Sequence, residues 1–249
     1  MSDIAIIGGT GLTSIKSLEI TRREMVRTPY GEPSGPLTHG MLCGQSVVFL
    51  ARHGHGHTIP PHDVNYRANI WALKSIGVKN ILAVAAVGGI RDDLVAGKLV
   101  IPDQIIDYTW SRGNTFFDRG EGPVKHIDFT WPYCESMRQL ALDAAKKANI
   151  DISDTATYAA TQGPRLETAA EINRLERDGA DIVGMTGMPE AALARELELC
   201  YACCAVVANR AAGRGEGEIL LAEIEENLTN AMNQVEQLLE VLLPNCRIS

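Results

Sequence analysis

The chain is punctuated by short, nearly unbroken apolar runs, each of which stops at a glycine-rich or polar loop. Ile4–Ile7 runs into Gly8-Gly9-Thr10-Gly11-Leu12, Val47–Leu50 into Ala51-Arg52-His53-Gly54, and Ile81–Val87 into Gly88-Gly89. Thr157–Thr161 ends in Gln162-Gly163-Pro164-Arg165-Leu166-Glu167, Ile182-Val183 in Gly184-Met185-Thr186-Gly187, and Cys200–Ala208 in Asn209-Arg210-Ala211-Ala212-Gly213. Apolar runs of this length without polar alternation read as strands buried on both faces. Helical periodicity lies between them: Val64–Lys74 closed by Gly77, Met137–Ala148, and a segment entered through Pro189 and Glu190. Both residues suit a first helical turn, where amides are unpaired and the dipole is positive. Thr168 and Glu171 have capping-box spacing. Leu221, Ile224, Leu228, Met232, Val235, Leu239 and Leu242 form one stripe on a long C-terminal helix, read as packing without chemistry. The pattern predicts one α/β domain over residues 1–249, with strand ends gathered at one ligand crevice.

Smaller features refine this expectation. Thr28–Gly35 is turn-rich and joins two strands. Leu99–Ile106 reads as a strand with Pro102 marking an edge or a break. Ser111–Tyr133 is irregular and aromatic, as a lid or an interface segment is. The net charge of -8 and the absence of a basic block exclude a nucleic-acid surface. With no signal peptide and no transmembrane span, a cytoplasmic protein without membrane partners is expected.

The loops narrow the chemistry. The first glycine loop resembles a dinucleotide fingerprint, but Ser14 stands at its third glycine and no phosphate-loop lysine follows. A nicotinamide-dependent oxidoreductase rests on that loop alone. His53, His55 and His57 alternate at a strand end, which points neighbours to opposite sides and does not build a metal site. Cys200-Tyr201-Ala202-Cys203 has redox spacing, but it lies in an apolar strand, so core thiols are expected there. Arg52 suits a phosphate or carboxylate ligand, or equally a structural ion pair. Glu167 reads as a loop carboxylate just before a helix.

Taken together and in order, IIGGTGL, LARHG, NYRANIWALK, AVGG, TQGPRLET and GMTGMPE cover nearly the whole chain. They resemble the purine nucleoside phosphorylase superfamily, in its trimeric branch that includes the methylthioadenosine phosphorylases. The resemblance implies a twisted mixed β-sheet flanked by helices, a homotrimer, and cleavage of a nucleoside N-glycosidic bond by inorganic phosphate. It implies no metal and no cofactor, phosphate being a co-substrate. Carried over, Thr10, Arg52, His53 and Thr186 are phosphate ligands with the Ala86 amide. Met185 lies against the ribose, and His126 reaches a neighbouring subunit's site. Leu166 replaces an aromatic residue that faces the base in relatives. Ala85 stands where relatives carry Asn or Thr. Those two departures leave open a binding or regulatory trimer that has lost catalysis.

Two further expectations concern the substrate. Asn209 matches a 6-oxopurine protonated at N7, giving N–H to O6 and accepting from N7, and it is the expected catalytic residue. Glu167 accepts from the N1–H of hypoxanthine, which adenine lacks. The adenosine-specific relatives carry aspartates at the positions of Asn209 and Ala211. The family's ordinary members place a histidine for the 5'-hydroxyl at the position aligned here with Ala222, beside apolar Leu220 and Leu221. An apolar wall there favours a 5'-thioether. The expected substrate is S-methyl-5'-thioinosine, with a general 6-oxopurine nucleoside as the alternative and methylthioadenosine a weaker one.

Overall fold

The computed structural model describes residues 3–9, 12, 15, 17–118 and 124–246. In chain order the elements are β1 (Ile4–Gly8), β2 (Glu19–Glu24), β3 (Leu37–Leu42), β4 (Gln45–Ala51), α1 (Tyr66–Ser75), β5 (Asn80–Gly89), β6 (Leu99–Val100) and β7 (Gln104–Asp107). There follow α2 (Glu135–Lys147), β8 (Ile152–Ser153), β9 (Thr157–Ala160), α3 (Ala169–Arg177), β10 (Ile182–Gly184), α4 (Gly187–Glu196), β11 (Cys200–Arg210) and α5 (Leu221–Leu242). The expected alternation is thus present, and all strands join one mixed sheet.

The sheet forks at β5. Its first half pairs in parallel with β1, from Ile4 opposite Asn80 to Ile7 opposite Ala83. Its last two residues, Gly88 and Gly89, pair instead with Val183 and Ile182 of antiparallel β10. On the other side β11 runs parallel along the whole of β5. One branch therefore continues through β1, β4, β3 and β2, the other through β10, β9 and β7. Between β1 and β10, around Val84–Val87, one edge of β5 has lost its strand partner, and a cleft opens there.

Alternate residues of the central strands serve opposite layers, as a doubly buried strand must. Ala5, Ile7 and Ala83 pack in the layer of α1 and α4, with Ile70, Leu73 and Leu193. Ile4, Ile6, Leu82 and Val84 pack in the layer of α2 and α5, with Ala141, Val235 and Leu239. Thr168 and Glu171 form the expected capping box at α3. Asn65 caps α1 by accepting from the Ala68 N–H.

Pro102 marks a break, one of the two readings it allowed: Leu99–Ile106 divides there into two strands in different parts of the sheet, β6 pairing with β11 and β8, and β7 with β9. Two expectations change on contact with the fold. Cys200 is not a core thiol. It is the first residue of β11, beside the N-terminus of α2, and it is disulfide-bonded to Cys134. The bond from the Cys134 N–H to the Tyr201 carbonyl, 2.8 Å, joins the two segments there. Cys203 and Cys204 are the buried thiols, and burial pushes Cys204 up to about 12. The stripe of α5 is buried only from Leu228 onward, and its first members, Leu221 and Ile224, have another role. Among the described residues no helix is long and apolar enough to cross a membrane.

Candidate active site

The cleft at the fork of β5 opens into a cavity of about 420 Å³. Gly9, Arg52, His53, Ala85 and Ala86 line it. So do Glu167, Met185, Thr186 and Asn209, with Leu166 and Ala211. These residues come from the ends of β1, β4, β5, β9, β10 and β11, so one crevice collects the loops as the pattern of strand ends implies.

The backbone of β5 supplies the first feature. Where β1 leaves it, the Val84 carbonyl accepts from Arg52 Nη1 at 3.0 Å. Amides two residues apart on a strand face the same way. The Ala86 N–H therefore turns toward the same opening. Gly9 makes this approach feasible, because a Cβ there would lie 2.8 Å from both Arg52 Nη1 and the Val84 oxygen.

Arg52 is 1 % exposed and Glu190 is 0 % exposed. The guanidinium donates from Nε to Glu190 Oε2 at 2.6 Å and from Nη2 to Oε1 at 2.8 Å. Tyr201 adds its hydroxyl to Oε1 at 2.8 Å. Glu190, read from sequence as a helix-dipole residue, is instead the counter-ion of Arg52. The structural ion pair is thus made; burial pulls Arg52 down, but the charge and hydrogen bonds of Glu190 outweigh it and hold the group above the usual guanidinium range. Three of the five N–H bonds are used on Glu190 and Val84, which leaves two on a side chain in the cavity wall.

His53 donates from Nδ1 to the Ile59 carbonyl at 2.8 Å. Burial, with Arg52 adding to it, lowers His53 to about 4. The ring is therefore neutral at pH 7, and with Nδ1 carrying the proton its Nε2 can only accept. The His57 ring lies tilted against it, with 4.5 Å between centroids and 44° between planes, and is lowered by burial as well. Thr186 is the N-cap residue of α4, buried, with no side-chain cap bond of its own. Its N–H points to the Tyr158 hydroxyl at 3.4 Å.

At the other end, β11 has a bulge between Val207 and Asn209, which turns Asn209 into the cavity. One Nδ2 hydrogen goes to the Arg210 carbonyl at 2.7 Å. The second hydrogen and Oδ1 remain for a ligand. Glu167 accepts from Thr161 Oγ1 at 2.6 Å through Oε1. Gly163, with φ +64°, packs so closely that a Cβ would strike the Met185 thioether. The loop from β9 and the turn after β10 therefore meet directly.

Three sequence-assigned residues are not part of this cavity as described. Thr10 lies outside the described residues. His126 is exposed and away from the cavity wall. Ala222 is exposed and does not line the cavity; Ile219, Leu221 and Ile224 do. Leu221 and Ile224 stand one turn apart at the start of α5, and both edge the cavity.

Arg112 was missed altogether. From the irregular segment it donates from Nη1 to the Met185 and Met188 carbonyls at 2.8 and 2.7 Å. It also donates from Nη2 to the Thr161 and Gln162 carbonyls at 3.2 and 2.8 Å. One guanidinium thereby ties the two loops that carry Glu167 and Thr186. A lone arginine in an aperiodic stretch gives no sequence signal of this.

The family model of the phosphorylase superfamily matches residues 3–244. The chain belongs to that superfamily. It is 54% identical over 243 residues to a probable S-methyl-5'-thioinosine phosphorylase of Pseudomonas syringae pv. tomato, covering 98% of this chain and 99% of the relative. It is 46% identical over 249 residues to the 6-oxopurine nucleoside phosphorylase of Pyrococcus furiosus, covering 98% and 93%. The solved structure of Schistosoma mansoni methylthioadenosine phosphorylase in complex with adenine superposes with a TM-score of 0.94. That structure is 33% identical and covers 98% of this chain and 92% of its own. As a superfamily member at these identities, the chain is an enzyme of the purine nucleoside phosphorylase type. Its mixed sheet flanked by helices is the fold that the motifs implied.

Proposed function

We propose that the protein cleaves S-methyl-5'-thioinosine with inorganic phosphate, giving hypoxanthine and 5-methylthioribose 1-phosphate. One observation carries the reading. Asn209 and Glu167 line the same cavity as Arg52, His53 and Thr186, and the apolar side chains of Ile219, Leu221 and Ile224 also line it.

Phosphate sits at the fork of β5, held by the Ala86 amide, the two unspent N–H bonds of Arg52 and the Thr186 hydroxyl, with Thr10 in the first glycine loop. Neutral His53 accepts at Nε2 the hydrogen bond that the O–H of hydrogen phosphate donates. A phosphate oxygen forms its bond to C1' as the bond from C1' to N9 breaks, and the pair of electrons leaves with the purine. The sugar carries positive charge in the transition state, and the phosphate opposes it across the cavity. The purine takes a solvent-derived proton at N7, which Asn209 Oδ1 accepts as a hydrogen bond, while Nδ2 donates to O6. Glu167 takes N1–H. A 6-amino base would present donors to Asn209, and a site left with unpaired polar groups discriminates by factors of about 10⁴. Ala211 supplies no carboxylate to reverse this.

The apolar trio favours a 5'-thioether, because a buried unpaired hydroxyl costs about 1–3 kcal/mol. Met185 packs on the ribose and Leu166 on the base. No metal or organic cofactor takes part. We place the protein in the cytoplasm as a homotrimer, with His126 contributing to a neighbouring site. The general 6-oxopurine reading stays in view because Leu221 is 71 % exposed, so the 5' end is open in a single chain.

The test is a substrate panel crossing hypoxanthine and adenine with 5'-methylthio and 5'-hydroxyl sugars, with and without phosphate. Methylthioinosine should have the highest kcat/KM, and release should require phosphate. A methylthioinosine to inosine ratio near one would favour the general enzyme. Equal turnover of methylthioadenosine would sink the base assignment, and no release from any nucleoside would leave a binding module.

A further inference from the structure

We infer that Thr161 is a positioning residue for base selection: its hydroxyl fixes one oxygen of Glu167 so that the other faces the N1–H of a 6-oxopurine. The inference rests on the Glu167 assignment proposed above and goes beyond it, since Thr161 does not line the nucleoside cavity.

The geometry is as follows. The last residue of β9, Ala160, pairs with Gly184 of β10, and the Thr161 N–H donates to the Gly184 carbonyl at 2.8 Å. Thr161 is thereby held by its main chain. Its hydroxyl has two acceptors within reach, Glu167 Oε1 at 2.6 Å and the Gly184 carbonyl at 3.3 Å. A hydroxyl has one hydrogen. The Gly184 carbonyl already has the Thr161 N–H, and a bond to a carboxylate is shorter and stronger than one to a carbonyl. The hydrogen therefore goes to Glu167.

The bond matters because Glu167 stands on a wall between two cavities. It lines the nucleoside cavity and also a second one of about 310 Å³, which Thr161, Gln162 and Trp110 help to line. A half-buried carboxylate on a loop can rotate between the two spaces. Anchoring Oε1 on the Thr161 side removes that freedom and leaves Oε2 as the open acceptor. Thr161 itself touches no substrate.

The experiment compares kcat/KM for a 6-oxopurine nucleoside bearing N1–H with that for its N1-methyl analogue, in the wild type and in Thr161→Val and Thr161→Ser. The wild type should prefer N1–H. Thr161→Val should shrink the preference about 10-fold, as loss of a charge-assisted bond implies, by slowing only the N1–H substrate. Thr161→Ser should retain it. If Thr161→Val does not fold, Thr161→Ala removes the same hydroxyl without added bulk and is read the same way. An unchanged or larger preference in the Val or Ala variant would overturn the inference. So would equal slowing of both substrates, the signature of a purely structural role, or a Ser variant behaving as Val does. A wild type without preference would remove the Glu167 assignment itself, and the inference with it, which separates that failure from the failure of Thr161 alone.

Discussion

Replacing Glu190 with alanine should destabilise the protein by about 3–5 kcal/mol, the usual result of removing one partner of a buried ion pair. Both side chains of the pair are out of solvent, with relative exposures of 1 % and 0 %. The guanidinium would lose two charge-assisted bonds, and the Tyr201 hydroxyl would lose its acceptor. Losing the tyrosine partner alone costs about 1–3 kcal/mol, but it overlaps with the first figure and does not add to it. Against a total stability of roughly 5–15 kcal/mol, the variant sits close to unfolding. The pair is a site device rather than a stabiliser, so replacing both members should recover much of the loss. We expect Arg52→Met with Glu190→Leu to lie within about 2 kcal/mol of the wild type and yet to release no purine. Urea midpoints at one protomer concentration, with unchanged slope, measure both quantities. A Glu190→Ala variant within about 1 kcal/mol of the wild type would refute the reasoning. A double variant no more stable than the single one would refute it too.

Asn209→Asp should move preference toward the 6-amino base, read as the ratio of kcat/KM for methylthioadenosine and methylthioinosine. An unchanged ratio would remove Asn209 from the base site. At the sugar, Ile224→His should raise kcat/KM for inosine over methylthioinosine about 10-fold, whereas Ala222→His should leave the ratio alone because position 222 faces solvent. His53 gives a pH dependence of stability. In the folded protein it lies at about 4, below the ordinary imidazole value of about 6.5. The unfolded chain therefore binds the extra proton first, and stability from this group is complete above about 6.5 and falls as pH drops toward 4. The loss is up to about 3 kcal/mol, and His53→Gln should flatten unfolding midpoints across that window. A parallel decline in both proteins would assign the effect to other groups.

How far the sequence carried the reading differs along the chain. Buried strands and strand-end loops were legible because local pattern sets them: Ile81–Val87 and Cys200–Ala208 hardly allow another structure. The capping box at Thr168 and Glu171 was legible for the same reason. What pattern could not show was contact between distant segments. Arg52 and Glu190 are 138 residues apart, and Glu190 read as an ordinary acid in a first helical turn. The Cys134–Cys200 bond joins residues 66 apart, of which Cys200 read as a core thiol in its apolar strand. Arg112 has neither periodicity nor a neighbouring motif, and its role exists only because two loops converge on it. At the 5' wall the apolar character was legible, and Leu221 lines the cavity, but which position of the turn faces it was not, since a shift of one residue turns a side chain through about 100°.

The fork of β5 has a consequence for how such a protein can diversify. Its anion end, on the proposed reading, sets one main-chain group, the Ala86 amide, beside the Arg52 and Thr186 side chains, with Val84 holding Arg52 and Gly9 keeping the space clear. Substituting side chains cannot easily rewrite an amide. On the proposed reading, the base end hangs on the loops after β9 and β11, through Glu167 and Asn209, and the 5' end on the first turn of α5, through Leu221 and Ile224. Different stretches of chain would then control three portions of a nucleoside. A lineage could exchange one base for another, or one sugar for another, with one or two replacements and leave the reaction intact.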